Sequence, residues 1–211
     1  MKKPTLYQAT IEKSINCPQC GDTLPLYFKW SKLVQCPSCK SSIFLEDKSV
    51  ILLGDSSALS PEPSLINIQE PFIFEKKSYL PLGKIRYSYG RGFWEEWFLK
   101  GEANQEFWLS IDEGDFALEQ EAKITMPFHN IHKLTLGKSY GTYVVTEIGE
   151  GECVGFTGEL PENISVGKLH QYAHLSEGGS SLITVESSSS KRMKVFKGNW
   201  IDPFKITKVY G

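Results

Sequence analysis

The sequence predicts an all-β protein in which an N-terminal zinc ribbon precedes a β-barrel-like domain. Two Cys-x-x-Cys pairs occur within the first forty residues. From about residue 65 onward, short runs rich in β-branched and aromatic residues alternate with glycine-rich turns. No segment shows amphipathic helical periodicity over three turns, so a barrel or a sandwich is favoured over a helical fold.

The ribbon is predicted over residues 1–46 because its four cysteines, Cys17, Cys20, Cys36 and Cys39, form two pairs separated by fifteen residues. Two intervening residues let both thiolates of a pair reach one ion at about 2.3 Å, and fifteen residues suffice for a hairpin that joins the pairs. The spacing therefore predicts one structural Zn²⁺ with four thiolate ligands. Disulfides or a redox pair are the alternatives, but the N-terminus lacks the apolar stretch of a secretory signal, and a redox motif would not occur twice at this spacing.

The rest of the chain is divided by composition. Residues 47–70 are predicted to be a strand and a linker, because the strand-like run Asp47–Leu53 precedes a stretch rich in serine and proline. Residues 71–211 are predicted to form the mostly β domain. Similar runs open three of its strand-like segments, which leaves open a duplicated half-barrel with SH3-like character. These runs are Leu82-Gly83-Lys84, Leu136-Gly137-Lys138 and Val166-Gly167-Lys168.

Charge and hydropathy limit the functions that the chain can have. The net charge of −2 argues against a polycation built for nucleic acid. The acids are concentrated, since residues 93–121 carry nine of them against Lys100 alone. The longest apolar run, Val50–Leu53, is far shorter than the roughly 20 residues that a bilayer requires, so no membrane span is predicted. A cytoplasmic location is the expectation.

An acidic and aromatic stretch is the most unusual part of the sequence. On a strand, Trp94 and Glu96 share one face, while Glu95 and Trp97 share the other, and Trp108 follows in the next strand. One interpretation is a core strand whose acids pair with nearby lysine or arginine side chains. The other is a groove in which aromatic faces and carboxylates bind a cation, such as a polyamine or a lysine or arginine side chain.

Four runs in the β domain resemble a known family. They are Leu82-Gly83-Lys84-Ile85-Arg86-Tyr87, Phe93-Trp94-Glu95-Glu96-Trp97, Trp108-Leu109-Ser110 and Gly158-Glu159-Leu160-Pro161. Over roughly residues 48–205 the chain is similar to the bacterial domain of unknown function 4178 family, whose members often carry an N-terminal zinc ribbon. The resemblance implies a mostly β bacterial protein, and it supplies no catalytic residues.

Other candidate sites are weaker. His170 and His174 would lie about 13 Å apart along a strand, which is too far for one ion. Cys153 is predicted to be a small buried side chain rather than a nucleophile. The glycines do not follow a nucleotide-binding pattern. Basic and aromatic residues of the ribbon leave nucleic-acid binding as an alternative that is not favoured.

These observations predict a non-catalytic binding or adaptor protein. We expect the β domain to dock a protein partner, with the ribbon as a second docking site. Cation or polyamine binding through the acidic and aromatic stretch is the alternative, with Trp94, Glu95, Glu96, Trp97 and Trp108 as the candidate contact residues. A hydrolase would need a histidine beside a carboxylate or beside Cys153 in a cleft.

Overall fold

A computed structural model of the chain describes residues 10–46, 49–56, 59–60, 62–126, 128, 130–187 and 193–209. Within these residues the chain consists of sixteen strands and three short 3₁₀ turns, with no α-helix. The predicted all-β class is therefore confirmed.

Five short strands build the N-terminal region. They are β1 (Lys13–Asn16), β2 (Thr23–Leu26), β3 (Leu33–Gln35), β4 (Ser41–Glu46) and β5 (Ser49–Ser56). Strands β1 and β2 form an antiparallel hairpin, and β3, β4 and β5 pair antiparallel in sequence order. The strand that was predicted from Asp47 corresponds to β5, although residues 47–48 lie outside the described residues.

Eight strands close into a barrel. They are β7 (Lys77–Ser88), β8 (Phe93–Lys100), β9 (Glu106–Asp112), β10 (Asp115–Glu121), β12 (Tyr143–Leu160), β13 (Leu169–Ser176), β14 (Ser181–Ser187) and β15 (Met193–Ile201). Around the barrel the order is β7-β8-β9-β10-β15-β14-β13-β12, and β12 pairs with β7 to complete the circle. All of these pairings are antiparallel, and the predicted barrel is confirmed. Three short strands lie outside the circle: β6 (Phe72–Phe74), β11 (Ser139–Tyr140) and β16 (Thr207–Lys208).

The barrel consists of two four-stranded meanders. Strands β7 to β10 follow one another around one half, and β12 to β15 run around the other half in the opposite sense. Because β7 pairs with β12 and β10 pairs with β15, a two-fold rotation exchanges the two halves in this topology. This is the arrangement that a duplicated half-barrel would have, and duplication with SH3-like character stays a prediction.

Each meander is covered on its outer face. Residues from the 66–74 segment, including Ile66 and Phe72, pack with Trp97 and Leu109 on the first half. The connection between β10 and β12 covers the second half, where side chains such as Ile131 join a separate apolar cluster. Alternate residues of the covered strand segments therefore point into an outer layer, which leaves the other residues to fill the barrel.

The ribbon closes one end of the barrel. Strand β3 pairs with the C-terminal end of β12, so that Val34 lies opposite Glu159. Phe28 enters the barrel core and contacts the Phe98 ring edge-on, with 5.1 Å between the ring centroids. Lys100 Nζ, which is buried, donates to the carbonyl of Tyr27 at 2.9 Å. The ribbon is not in contact with the opposite end of the barrel among these pairings.

Candidate functional site

The four cysteines of the ribbon converge. Cys17 Sγ lies 3.6 Å from Cys39 Sγ, and Cys20 Sγ lies 3.7 Å from Cys36 Sγ. All four sulfurs lie within 4.8 Å of one another. Sulfurs about 2.3 Å from a tetrahedral ion would be separated by about 3.8 Å, so the arrangement fits a four-thiolate metal site.

The backbone around the cysteines repeats one turn twice. Gly21 N–H donates to the Cys17 carbonyl at 2.8 Å, and Lys40 N–H donates to the Cys36 carbonyl at 2.9 Å. Gly21 and Lys40 both have a left-handed backbone, with φ values of 78° and 63°. Gly21 adopts this conformation without strain, whereas Lys40 adopts it without the freedom that glycine has.

The thiol groups are held by polar and apolar neighbours. Cys17 and Cys36 are buried in a small apolar cluster with Leu24, Leu26 and Ile43. The Ser41 hydroxyl lies 3.2 Å from Cys39 Sγ, and this contact lowers the pKa of Cys39 to about 6. Burial instead raises the pKa of Cys36, so the convergence of the four sulfurs, and not a shared pKa shift, is what suits the cluster to a cation.

The two faces of β8 have different surroundings. On the outer face, Glu95 accepts hydrogen bonds from Lys84 Nζ and Arg86 Nη2, each at 2.7 Å. The Trp97 indole N–H also donates to Glu95, at 3.0 Å. These residues are buried beneath the outer layer, so the Glu95 charge is already neutralised within the protein.

The inner face of β8 lines a small cavity at the open end of the barrel. The cavity has a volume of about 70 Å³. Its lining residues come from seven strands and are Trp94, Glu96, Ser110, Asp112, Asp115, Glu147, Tyr172, His174, Thr184 and Trp200. We call it the mouth cavity. Its lining holds four carboxylates and three large aromatic side chains, and neither lysine nor arginine is among these described residues.

One carboxylate of the mouth cavity is fixed by hydrogen bonds. Tyr172 Oη donates to Glu147 Oε1 at 2.6 Å, and His174 Nδ1 lies 3.0 Å from Glu147 Oε2. The bond to His174 lowers the pKa of Glu147, and the bond from Tyr172 acts in the same direction. Glu147 is therefore held as an anion at the cavity.

Further carboxylates lie deeper in the barrel. Glu119 is only 4% exposed, and Thr184 Oγ1 donates to its Oε2 at 2.9 Å. Burial raises the pKa of Glu119 to about 7, although the bond from Thr184 opposes the shift. Burial, with the neighbouring Glu96 charge, also raises the pKa of Glu186 well above its ordinary value.

The structure separates the predicted contact residues. Trp94 and Glu96 reach the mouth cavity, and the Trp94 indole N–H donates to Glu96 Oε1 at 3.0 Å. Glu95 and Trp97 lie on the other face, as the alternation predicted. Trp108 is half-buried in the barrel, where its ring lies 5.4 Å from that of Phe98.

Sequence reasoning did not identify most of the cavity. Asp112, Glu147, Tyr172, His174 and Trp200 come from strands that are far apart in the chain. Strand alternation puts Tyr172 and His174 on one face of β13, and this was the signal available in the sequence. Glu147 lies opposite His174 where β12 pairs with β13, and the register of that pairing is not evident from a single sequence.

Two surfaces outside the cavity are also notable. A groove of about 790 Å³ on the outer side contains apolar residues such as Leu65, Phe93 and Phe204, and Phe204 is 96% exposed. In the ribbon, Trp30 is exposed and Lys29 Nζ lies 4.9 Å from the centre of its ring.

Cys153 is buried in the barrel core, as predicted. Burial raises the pKa of the Cys153 thiol to about 11. A thiol with so high a pKa is a poor nucleophile at neutral pH.

The fold and the cysteine cluster define an all-β protein with an eight-stranded closed barrel and an N-terminal unit that can hold a metal ion. Residues 70–203 match the family model described as Domain of unknown function (DUF4178), and the chain belongs to that family. The match covers the barrel. It does not include the ribbon, whose four cysteines lie N-terminal to residue 70. Searches of curated proteins and of solved structures gave no significant match.

The described part of the chain contains no helix of the length and apolar character needed to cross a membrane.

Proposed function

We propose that this chain is a non-catalytic binding protein whose barrel accepts a positively charged organic group in the mouth cavity, while a zinc-stabilised ribbon covers the opposite end. The observation that carries the proposal is the lining of that cavity, where carboxylates and aromatic rings converge without a lysine or arginine among the described residues. Aromatic faces and carboxylates both attract cations, and a partly enclosed site strengthens that attraction.

The cavity volume limits the ligand. A space of about 70 Å³ corresponds to about two water molecules at roughly 30 Å³ each. It suits the ammonium end of an amine, with the rest of the ligand extending outward past Trp200, which is partly exposed. A polyamine meets these requirements, and so does a lysine side chain presented by a protein.

The charge of the cavity supports the same ligand class. Glu147 is held as an anion by Tyr172 and His174, and Asp112 and Asp115 line the same cavity. Lys84 and Arg86 form ion pairs with Glu95, but all three side chains lie on the other face of β8. An incoming ammonium group would therefore meet the Glu147 anion, with Asp112 nearby, whose pKa is raised by burial.

Calorimetry with spermidine tests the proposal. We expect heat of binding at millimolar ligand or below, and we expect Glu147→Gln and Asp112→Asn each to weaken affinity about tenfold or more, because a hydrogen bond to a charged group contributes about 1.5–3 kcal/mol. Glu150→Gln is the matched control, since Glu150 is exposed on the same strand as Glu147. Absence of heat at millimolar spermidine would exclude this ligand class.

Zinc is the metal that we propose for the ribbon, because four thiolates in a closed tetrahedral shell are typical of structural zinc sites. Its binding free energy would then contribute directly to the folding of the ribbon. Elemental analysis of freshly purified protein tests this, and we expect Cys17→Ser to lose the ribbon ion while the barrel retains its β-sheet circular dichroism.

A protein-docking role is the second candidate, and the outer groove favours it. Phe204 is almost fully exposed beside apolar neighbours, which is unusual for an aromatic side chain on a monomer. If a protein partner docks there, Phe204→Ala should abolish co-purification of that partner without unfolding the chain. Trp94 and Trp97 are unsuitable for this test because both are buried.

A further inference from the structure

A cluster deeper in the barrel combines one imidazole with two carboxylates. His170 on β13 places Nε2 at 3.8 Å from Glu96 Oε1 on β8 and 3.9 Å from Glu186 Oε1 on β14. Each atom lies within 4.8 Å of the others. The His170 side chain is 13% exposed, and the two carboxylates are similarly buried. Neither His170 nor Glu186 lines the mouth cavity.

The polar atoms of His170, Glu96 and Glu186 do not form hydrogen bonds with one another. Separations of 3.8–3.9 Å are too long for hydrogen bonds. His170 Nε2 is fully buried and has no hydrogen-bond partner within the described part of the chain. A buried imidazole nitrogen without a partner is rare in folded proteins, and it points to a group that completes its bonding.

A neighbouring carboxylate gives a second, independent indication. Glu119 faces the same interior and is bonded to Thr184, two residues before Glu186 on β14. Its other oxygen, Oε1, is buried and likewise lacks a partner among the described side chains and backbone. Three carboxylates and an imidazole are thus directed into one region of the barrel.

Positive charge from the protein does not compensate for these groups. Lys194 on β15 is the basic side chain whose charge acts on Glu186, but its Nζ forms an ion pair with Glu162. No lysine or arginine in the described ranges forms an ion pair with Glu96 or Glu186. Buried carboxylates without a cation are unfavourable unless they bind protons or a metal ion.

We propose that His170, Glu96 and Glu186 bind a divalent first-row transition metal ion inside the barrel, separate from the ribbon ion. Ligand atoms about 2.1 Å from a tetrahedral ion lie about 3.4 Å apart. Side-chain rotations would bring the three ligand atoms, which now lie within 4.8 Å of one another, to that geometry. A mixed set of imidazole and carboxylate ligands suits zinc, manganese or cobalt better than magnesium.

The number of protein ligands determines whether the proposed metal site is open or closed. Three protein ligands leave a coordination position open, whereas the four-thiolate site is closed. His170 is held in place by ring contacts, with its centroid 4.6 Å from that of Tyr87. The imidazole is therefore positioned before an ion arrives, as expected for a built site.

Metal stoichiometry tests the inference on the full chain. After incubation with Zn²⁺ and gel filtration, we expect two ions per wild-type chain and one ion per chain for His170→Gln and Glu186→Gln. His174→Gln is the matched control, because His174 lies on the same strand face but contacts Glu147, and it should retain both ions. One ion per wild-type chain, or two ions in His170→Gln, would overturn the inference.

Cobalt spectroscopy distinguishes the two sites even if a variant is less stable. Co²⁺ in the ribbon should give thiolate charge-transfer bands, whereas Co²⁺ in the barrel should add weaker ligand-field bands without sulfur character. We expect the second set to appear in wild type and to be absent in His170→Gln. A wild-type protein that shows thiolate bands alone at saturating Co²⁺ would contradict the proposed site. Neither result depends on spermidine binding, so this site and the proposed amine function can fail separately.

Discussion

Ser31 Oγ donates a hydrogen bond of 2.8 Å to Glu159 Oε2, which joins the ribbon to the barrel through a buried carboxylate. The same carboxylate accepts from the backbone N–H groups of Tyr27 and Phe28 at 2.8 Å and 3.1 Å. Glu159 therefore satisfies three donors of the loop between β2 and β3, none of which has another partner of comparable quality in the described contacts.

Replacing the Glu159 carboxylate should weaken the attachment of the ribbon to the barrel. We expect Glu159→Gln to lower the free energy of unfolding by about 2–3 kcal/mol, because charge-assisted bonds to buried donors are lost or reversed. Glu152→Gln on the same strand is exposed and should change it by less than about 0.5 kcal/mol. Denaturant unfolding measures both variants, and equal effects would show that the Glu159 bonds contribute little.

Gly158 and Gly167 allow a comparison of two alanine substitutions at positions with the same backbone conformation. Both have a left-handed backbone, with φ near 78° and 79°, but a Cβ at Gly158 would lie 2.2 Å from the Leu82 carbonyl oxygen, whereas a Cβ at Gly167 would meet open space. We expect Gly167→Ala to cost about 1 kcal/mol from backbone strain and Gly158→Ala to cost at least about 3 kcal/mol, since the steric conflict adds to the strain. Thermal unfolding checks this difference, and similar losses would contradict it.

Glu95 is expected to be structural. Glu95→Gln would leave Lys84 and Arg86 buried without their shared counter-charge, so the free energy of unfolding should fall by about 3–5 kcal/mol. Glu102→Gln, at an exposed glutamate, is the control. Where enough Glu95→Gln protein folds, its spermidine affinity should match wild type, because the side chain lies on the opposite face from the mouth cavity. A large loss of affinity in folded protein would contradict this assignment.

Glu147 should make the stability of the folded protein depend on pH, and the direction of its pKa shift defines the sign. Its folded-state pKa is lowered from the ordinary 4.5 by the bond to His174. The stability that Glu147 contributes should be present above pH 4.5 and should be lost as pH falls through the lowered pKa. Thermal unfolding between pH 3 and 6 should show a shallower acid loss for Glu147→Gln than for wild type, and Glu150→Gln should follow wild type. An unchanged acid profile in Glu147→Gln would exclude this role.

Local patterns in the sequence predicted the local features correctly. Cysteine spacing indicated the four-sulfur cluster, and strand alternation assigned Glu95 and Glu96 to opposite faces. The mouth cavity was beyond such reasoning because it depends on which strands are neighbours after closure. Glu96 and His170 are 74 positions apart in the sequence, and only the circular strand order brings them together.

The family-like runs acquire a physical meaning only in the folded chain. Gly83 and Gly158 lie opposite each other where β7 pairs with β12, and neither position has room for a Cβ. The glycine of each run permits the two backbones to approach, and Glu159 in the second run contacts the ribbon. Sequence inspection identified both runs but gave no reason to connect them.

The pairing of β3 with β12 makes one hydrogen-bonded sheet pass from the barrel into the ribbon. A ribbon attached through a shared sheet cannot reorient as freely as one attached by a flexible linker. A molecule bound to the ribbon would consequently be held in a fixed orientation relative to the mouth cavity.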